Sequence, residues 1–189
     1  MMQPKEWTEE ELIEMCARGN GKAQRALYER FYKKMYVVAL RYSKTTFEAE
    51  DILQESFVKI FGAIGNFKGD STLEYWVKRI VVNTALKQNR RLLDKMHMDD
   101  VDEVTEEPVS ENLTDQSYDF KELLAIIQKL SPGYQAIFNL YAIEGYKHHE
   151  IAEMLGISEG TSKSQYARAK ALIQKMLAKD ESKVYEKQR

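Results

Sequence analysis

Apolar residues recur along most of this chain at the three- and four-residue spacing of an amphipathic helix, and no stretch alternates in the manner of a half-buried strand. Thr8 followed by Glu11 is a capping-box pattern that opens a first helix, and Gly19 with Asn20 reads as its stop. From Lys22 to about Ser43, Leu27, Phe31, Met35, Val38 and Tyr42 fall on one helical face. A third helix begins near Phe47 and carries Ile52, Leu53, Phe57, Ile60 and Phe61 towards residues 62–65. Residues 66–70 read as a loop. Ser71 with Glu74 repeats the capping-box pattern and predicts a helix to about Arg91, with Leu73, Trp76, Val77, Ile80 and Thr84 on its apolar side.

The pattern then lapses. Residues 94–117 hold no sustained apolar period and are dense in like charge, so they bury too little surface to offset the entropy of ordering and read as a flexible linker. Helical spacing resumes with Leu123, Leu124, Ile127 and Leu130, and Ser131-Pro132-Gly133 stops it. Another helix is predicted over 134–144, then two more over 147–155 and 160–178, joined by Gly156-Ile157-Ser158-Glu159. The pattern therefore predicts an all-α fold of two small helical domains, 8–93 and 118–180, joined by an acidic flexible linker, with a helix-turn-helix in the C-terminal domain.

Composition sharpens this picture at three points. With 3 Pro and 9 Gly in 189 residues, long helices meet few breaks. The single cysteine, Cys16, falls on an apolar helical face and has no second cysteine to pair with, which suits packing in a reducing compartment. The opening MMQPKEWTEEEL is acidic and polar, unlike a secretory signal, and no apolar run approaches the roughly 18–20 residues of a membrane span. A cytoplasmic protein without membrane insertion is expected.

The net charge of -2 conceals an uneven distribution. Between Leu93 and Asp119 there are ten acids against one base, Lys95, out of chain totals of 30 acids and 28 bases. Setting that segment aside leaves 27 bases and 20 acids, so two moderately basic parts flank an acidic connector.

Chemistry concentrates in two stretches. In the C-terminal pair of helices, Ala152 permits a close crossing, Gly156 suits a left-handed turn, and Ser158 is a natural N-cap. Ser162, Tyr166, Ala169, Ile173 and Met176 share one face of the second helix, and Lys163, Ser164, Ala167 and Arg168 lie opposite. Residues 160–179 hold five bases, Lys170 among them, and no acid. Small and basic residues on an outer face let a helix enter the major groove, where Arg and Ser meet base edges and Lys meets phosphate. Charge alone is equally the mark of a solvated helix end; the full helix-turn-helix grammar is what points to duplex DNA.

The second stretch is 67–91. Arg79, Asn83, Lys87 and Arg90 fall within about 80° of arc on one helix. The preceding Phe67, Lys68 and Gly69 offer an aromatic ring, a cation and a hinge, a set suited to holding an unpaired base while cations track phosphate. Trp76 aligns with Leu73 and Ile80 and reads as core.

The order of EAEDILQESF from Glu48, FKGDSTLEYWVKRIVVNTA from Phe67, an acidic linker, and EIAEMLGISEGTSKS from Glu150 resembles the extracytoplasmic-function sigma factors, the two-domain members of the bacterial sigma family. The resemblance spans about residues 12–177. It implies that Glu48, Asp51, Ile52, Gln54, Glu55 and Phe57 form the surface that docks on RNA polymerase core, with the apolar residues as anchors inside an acidic rim. It implies that Phe67, Lys68, Asp70, Ser71, Arg79, Asn83 and Lys87 recognise the minus-ten element as a single strand, where capture of a flipped base offsets the few kcal/mol, roughly, of unpairing. It further implies that Lys163, Ser164, Ala167, Arg168 and Lys170 read promoter DNA at the minus-thirty-five element as duplex, and that an anti-sigma factor holds the protein in check. One departure stands out: Ser162 lies on the apolar stripe where the family usually has an aliphatic residue.

Two other readings compete with this one. A stand-alone helix-turn-helix regulator would bind duplex DNA without polymerase. A nucleic-acid enzyme is not favoured: no phosphate-binding loop, zinc-type cysteine pairs or Gly-x-Ser-x-Gly is present, and the adjacent His148 and His149 point about 100° apart on a helix, a poor metal pair. Polar surface or phosphate contact is the role expected of those histidines, and no cofactor or metal is called for.

Overall fold

The structure, a computed structural model, describes residues 7–95 and 118–187. Most of the expected acidic linker, 96–117, lies outside them. Every regular element among the described residues is helical: α1 (Glu9–Ala17), α2 (Gly21–Leu40), α3 (Thr46–Ala63), a 3-10 turn (Ile64–Asn66), α4 (Leu73–Lys95), α5 (Tyr118–Lys129), α6 (Pro132–Phe138), a π turn (Asn139–Ile143), α7 (His148–Leu155) and α8 (Glu159–Lys187). The chain divides into two compact units, one drawn from Met1–Ala39 with Phe47–Ala85, the other from Leu40–Thr46 with Leu86–Arg189.

In the first unit, local signals set the helix ends. Thr8 and Glu11 form the capping box in both directions at 3.2 Å. Gly19 takes the left-handed φ of 75° that an L side chain resists, and Asn20 Oδ1 then accepts from the N–H groups of Lys22 and Ala23, capping α2. At α4 the structure departs from the sequence pattern. Thr72, not Ser71, is the cap: its Oγ1 accepts from Tyr75 N–H at 3.2 Å, while the Ser71 hydroxyl donates to the Thr72 carbonyl. Glu74 therefore sits one place too early for a capping box and pairs with Lys34 at 2.7 Å.

The α2 stripe turns inward as its spacing requires, with Leu27, Phe31 and Met35 fully buried beside Ala23 and Ala39. Each such large side chain contributes roughly 1.5–3 kcal/mol over leaving it in water. Ile52, Leu53, Phe57 and Ile60 from α3 and Leu73, Val77, Val81 and Ala85 from α4 complete this core. Tyr28 of α2 meets Phe57 at 4.6 Å between ring centres. Leu12 and Cys16 bury the inner side of α1, which packs on the 3-10 turn, and burial raises the pKa of the Cys16 thiol.

In the second unit, α5, α6 and α8 share a core of Ile126, Leu130, Tyr134, Ala169 and Ile173, flanked by Phe138, Leu172 and Met176. Residues 40–46 belong to this unit because their carbonyls are bonded there. Gln128 donates to Leu40 O, Gln135 to Arg41 O and Ser43 O, and Asn139 to Arg41 O, while Lys44 donates to the carbonyls of Gln128 and Leu130. Arg41 and Glu144 add an ion pair at 2.5 Å with the Glu144 side chain only 2% exposed. The carbonyls left over at two helix ends thus gain partners, since a buried unpaired one costs about 1–3 kcal/mol.

Candidate nucleic-acid interface

The helix-turn-helix forms as its sequence grammar requires. Gly156 takes φ 69° as the left-handed cap of α7, and Ser158 Oγ accepts from Thr161 N–H at 2.9 Å to start α8. Ser162 and Ala169 are fully buried, Ile173 nearly so, and Tyr166 half-buried, so the inner stripe of α8 is the predicted one. Lys163, Ser164, Ala167, Arg168 and Lys170 are all exposed. On a helix they spread over about 160° of arc, a face broad enough to meet base edges and the phosphates beside them. Lys163 pairs with Glu159 at 2.7 Å; that hydrogen bond first, then the lysine's charge, lowers the pKa of Glu159. The Ser164 hydroxyl donates to Thr161 O at 3.1 Å, which fixes its direction.

The 67–87 stretch is built differently. Lys68, Asp70 and Ser71 stand exposed on a loop that turns at Gly69, φ 77°. Phe67 is half-buried against Trp76, ring centres 5.5 Å apart, so this aromatic is partly engaged within the protein. Arg79, Asn83 and Lys87 project from α4 as an exposed row. The row begins one turn earlier than the sequence pattern suggested. Tyr75, 41% exposed with the Lys78 ammonium 5.7 Å from its ring centre, lies four residues before Arg79 and offers a stacking surface. The i, i+4 spacing from Arg79 was the signal that would have found it.

On α3, Glu48, Asp51 and Gln54 are exposed, and Glu55 is half-buried and paired with Lys59 at 2.6 Å. Ile52 and Phe57, expected as outward anchors, are 1% and 3% exposed, because the fold spends them on the core of their own unit. The apolar residues that face outward are Phe47, 71% exposed, and Val58, 72% exposed. With Asp51 and Gln54 they share about 60° of the helix. Periodicity could not distinguish the two sets, since it marks the larger apolar stripe and passes over isolated exposed residues.

His148 is half-buried and more engaged than the sequence suggests: its ring stacks on Tyr141 and its Nδ1 lies 3.0 Å from Ser162 Oγ. No group of three or more His, Cys, Asp or Glu suited to a metal occurs among the described residues.

Both halves have counterparts in known proteins. The profile of Sigma-70 region 2 matches residues 27–93, and that of Sigma-70, region 4 matches residues 120–173. The chain is 32% identical over 154 residues to the ECF RNA polymerase sigma factor SigE of Mycolicibacterium smegmatis, covering 79% of this chain and 59% of that longer protein. It is 29% identical over 184 residues to the ECF RNA polymerase sigma-E factor of Haemophilus influenzae, 88% of this chain and 94% of that one, and 29% identical over 182 residues to the RNA polymerase sigma-H factor of Pseudomonas aeruginosa, 89% and 93%. The chain belongs to the extracytoplasmic-function sigma factors.

Solved structures share the fold. CnrH in complex with the cytosolic domain of CnrY aligns with a TM-score of 0.50 at 22% identity over 89% of this chain and 96% of that one. The sigma factor RpoE in complex with the anti-sigma factor NepR, from Bartonella quintana, aligns with a TM-score of 0.51 at 22% identity, over 82% and 96%. In this sigma factor the region-2 match takes in α4 with its exposed row, and the region-4 match takes in α7 and the start of α8. No helix among the described residues is long and apolar enough to cross a membrane.

Proposed function

We propose that this protein directs RNA polymerase core to specific promoters and nucleates their opening, with residues 8–93 and 118–180 as the two working domains and 94–117 as the connector. The observation that carries the reading is the presence, on one chain, of two unlike exposed faces of polar and basic residues. One is a rigid helix with small and basic residues outward, suited to duplex. The other is an exposed loop beside a row of polar and cationic residues, suited to unpaired bases.

On this reading Lys163, Ser164, Ala167, Arg168 and Lys170 address the minus-thirty-five element. Phe67, Lys68, Asp70, Ser71, Arg79, Asn83 and Lys87 address the minus-ten strand, joined by Tyr75 as a stacking platform. The outer face of α3, with Glu48, Asp51, Gln54 and Glu55 around Phe47 and Val58, meets polymerase core; Ile52 and Phe57 support that face from beneath. Membership of the family makes an anti-sigma factor the natural regulatory partner. The protein works in the cytoplasm with polymerase and needs no cofactor, and RNA synthesis remains the polymerase's chemistry.

Affinity for DNA in the absence of core polymerase tests this directly. Two small basic faces make few phosphate contacts, so the isolated protein binds promoter duplex weakly at physiological salt and gains affinity once core is added. Nanomolar binding to duplex without polymerase would instead identify a stand-alone regulator.

A further inference from the structure

Ser162 is the odd residue of α8, fully buried on a stripe otherwise held by Ala169, Ile173 and the ring of Tyr166. A hydroxyl in such a place needs a partner. It has one in His148, the first residue of α7, whose Nδ1 lies 3.0 Å from Ser162 Oγ. The imidazole is held in turn: it stacks on Tyr141 with ring centres 4.2 Å apart and 14° between planes, and meets Tyr166 edge-on at 5.9 Å. Tyr141 and Tyr166 close the cluster at 4.4 Å. Tyr166 follows Ser162 by one helical turn, so the hydrogen bond and the aromatic contacts grip adjacent turns of α8.

We propose that His148 is a positioning residue for duplex recognition: through Ser162 it fixes the rotation of α8 against α7, and so decides which bases Lys163, Ser164, Ala167 and Arg168 reach. The inference rests on the proposed role of α8 in reading the minus-thirty-five element. The turn at Gly156 joins the C-terminal end of α7 to the start of α8. The His148–Ser162 bond joins the opposite end of α7 to the end of the first turn of α8. Two attachments at opposite ends of a short helix fix an angle that either one alone leaves adjustable. An aliphatic residue at 162 would hold α8 by contact that has no preferred direction, whereas a hydrogen bond weakens steeply once its geometry is turned. Lys163 and Ser164 follow directly in sequence, so rotation at Ser162 is carried straight into the reading face. The serine buried on an apolar stripe and the histidine that reads as a surface residue are two halves of one device.

The test uses the full chain with purified core polymerase on two templates: a promoter library randomised at the upstream element, and a pre-opened template lacking it. His148→Phe keeps a stacked ring but removes the hydrogen bond, Ser162→Ala removes the hydroxyl, and His148→Asn returns a polar group near the place of Nδ1. His148→Phe and Ser162→Ala each flatten the upstream base preference by roughly five- to tenfold, leave the pre-opened template unaffected, and His148→Asn recovers most of the preference. An unchanged preference profile in both variants overturns the proposal. So does an equal loss on both templates, which would assign the pair to folding alone, and so does a normal His148→Phe beside an impaired His148→Asn, which would assign positioning to the ring stack. No transcription by the wild-type protein on either template would overturn the sigma reading itself and the proposal with it.

Discussion

The proposed reading face of α8 stands on a helix whose inner side is packed from Ser162 to Ile173 and whose start is fixed by Gly156 and Ser158, whereas the 67–72 segment is tied down chiefly by Phe67 on Trp76 and by the Thr72 cap. Duplex DNA presents a surface of fixed shape, so a reader gains by being rigid beforehand and losing little entropy on docking. A base leaving its stack has no fixed position until captured, so its receiver gains by exposed, adjustable residues close to a firm support. Here the support is α4, whose buried side runs through Val77, Val81 and Ala85 while Arg79, Asn83 and Lys87 project outward. On the proposed reading, one chain presents exposed cationic helix positions in two mechanical settings.

Removing the rigid support of one face should spare the other. Ile173→Ala opens a cavity under α8 and costs about 2–5 kcal/mol. We expect loss of upstream-element use with the C-terminal unit melting early by calorimetry, while transcription from a pre-opened template persists; equal loss on both would erase the distinction between the faces. Next in size, Asn83→Ala combined with Lys87→Ala should cost about 1–3 kcal/mol in strand capture, through lost hydrogen bonds to base and phosphate. Permanganate reactivity at the start site should fall with core binding unchanged. Arg168→Ala is expected to cost about 1–3 kcal/mol only at promoters that depend on the upstream element, read as a changed promoter profile. The smallest effect separates Thr72 from Ser71: Thr72→Ala loses the α4 cap, about 1 kcal/mol, whereas Ser71→Ala leaves the melting temperature unchanged.

That last pair shows how far the sequence was legible. Signals written within four residues came through: the capping box at Thr8, the turn at Gly156, the cap at Ser158, and the inward stripes of α2 and α8. Two adjacent hydroxyls at Ser71 and Thr72 could not be ranked, because either offers an oxygen to the first turn and the choice depends on where the chain enters. On α3 the strong apolar stripe marked Ile52 and Phe57, which the core consumes, and hid Phe47 and Val58, whose exposure is visible only in the folded unit. The anchoring of residues 40–46 rests on Gln128, Gln135 and Asn139, some 90 positions away, and no local pattern announces a hydrogen bond over that separation. Ser162 was legible as an oddity, but its partner was not, since His148 on its own reads as surface.

The most direct measurement is run-off transcription with purified core polymerase and fragmented genomic DNA, with and without this protein, mapping the RNA starts. The account predicts new starts that share two upstream motifs, the distal one lost in Arg168→Ala and opening at the proximal one weakened by Asn83→Ala. No new starts, together with no binding to core, would contradict it.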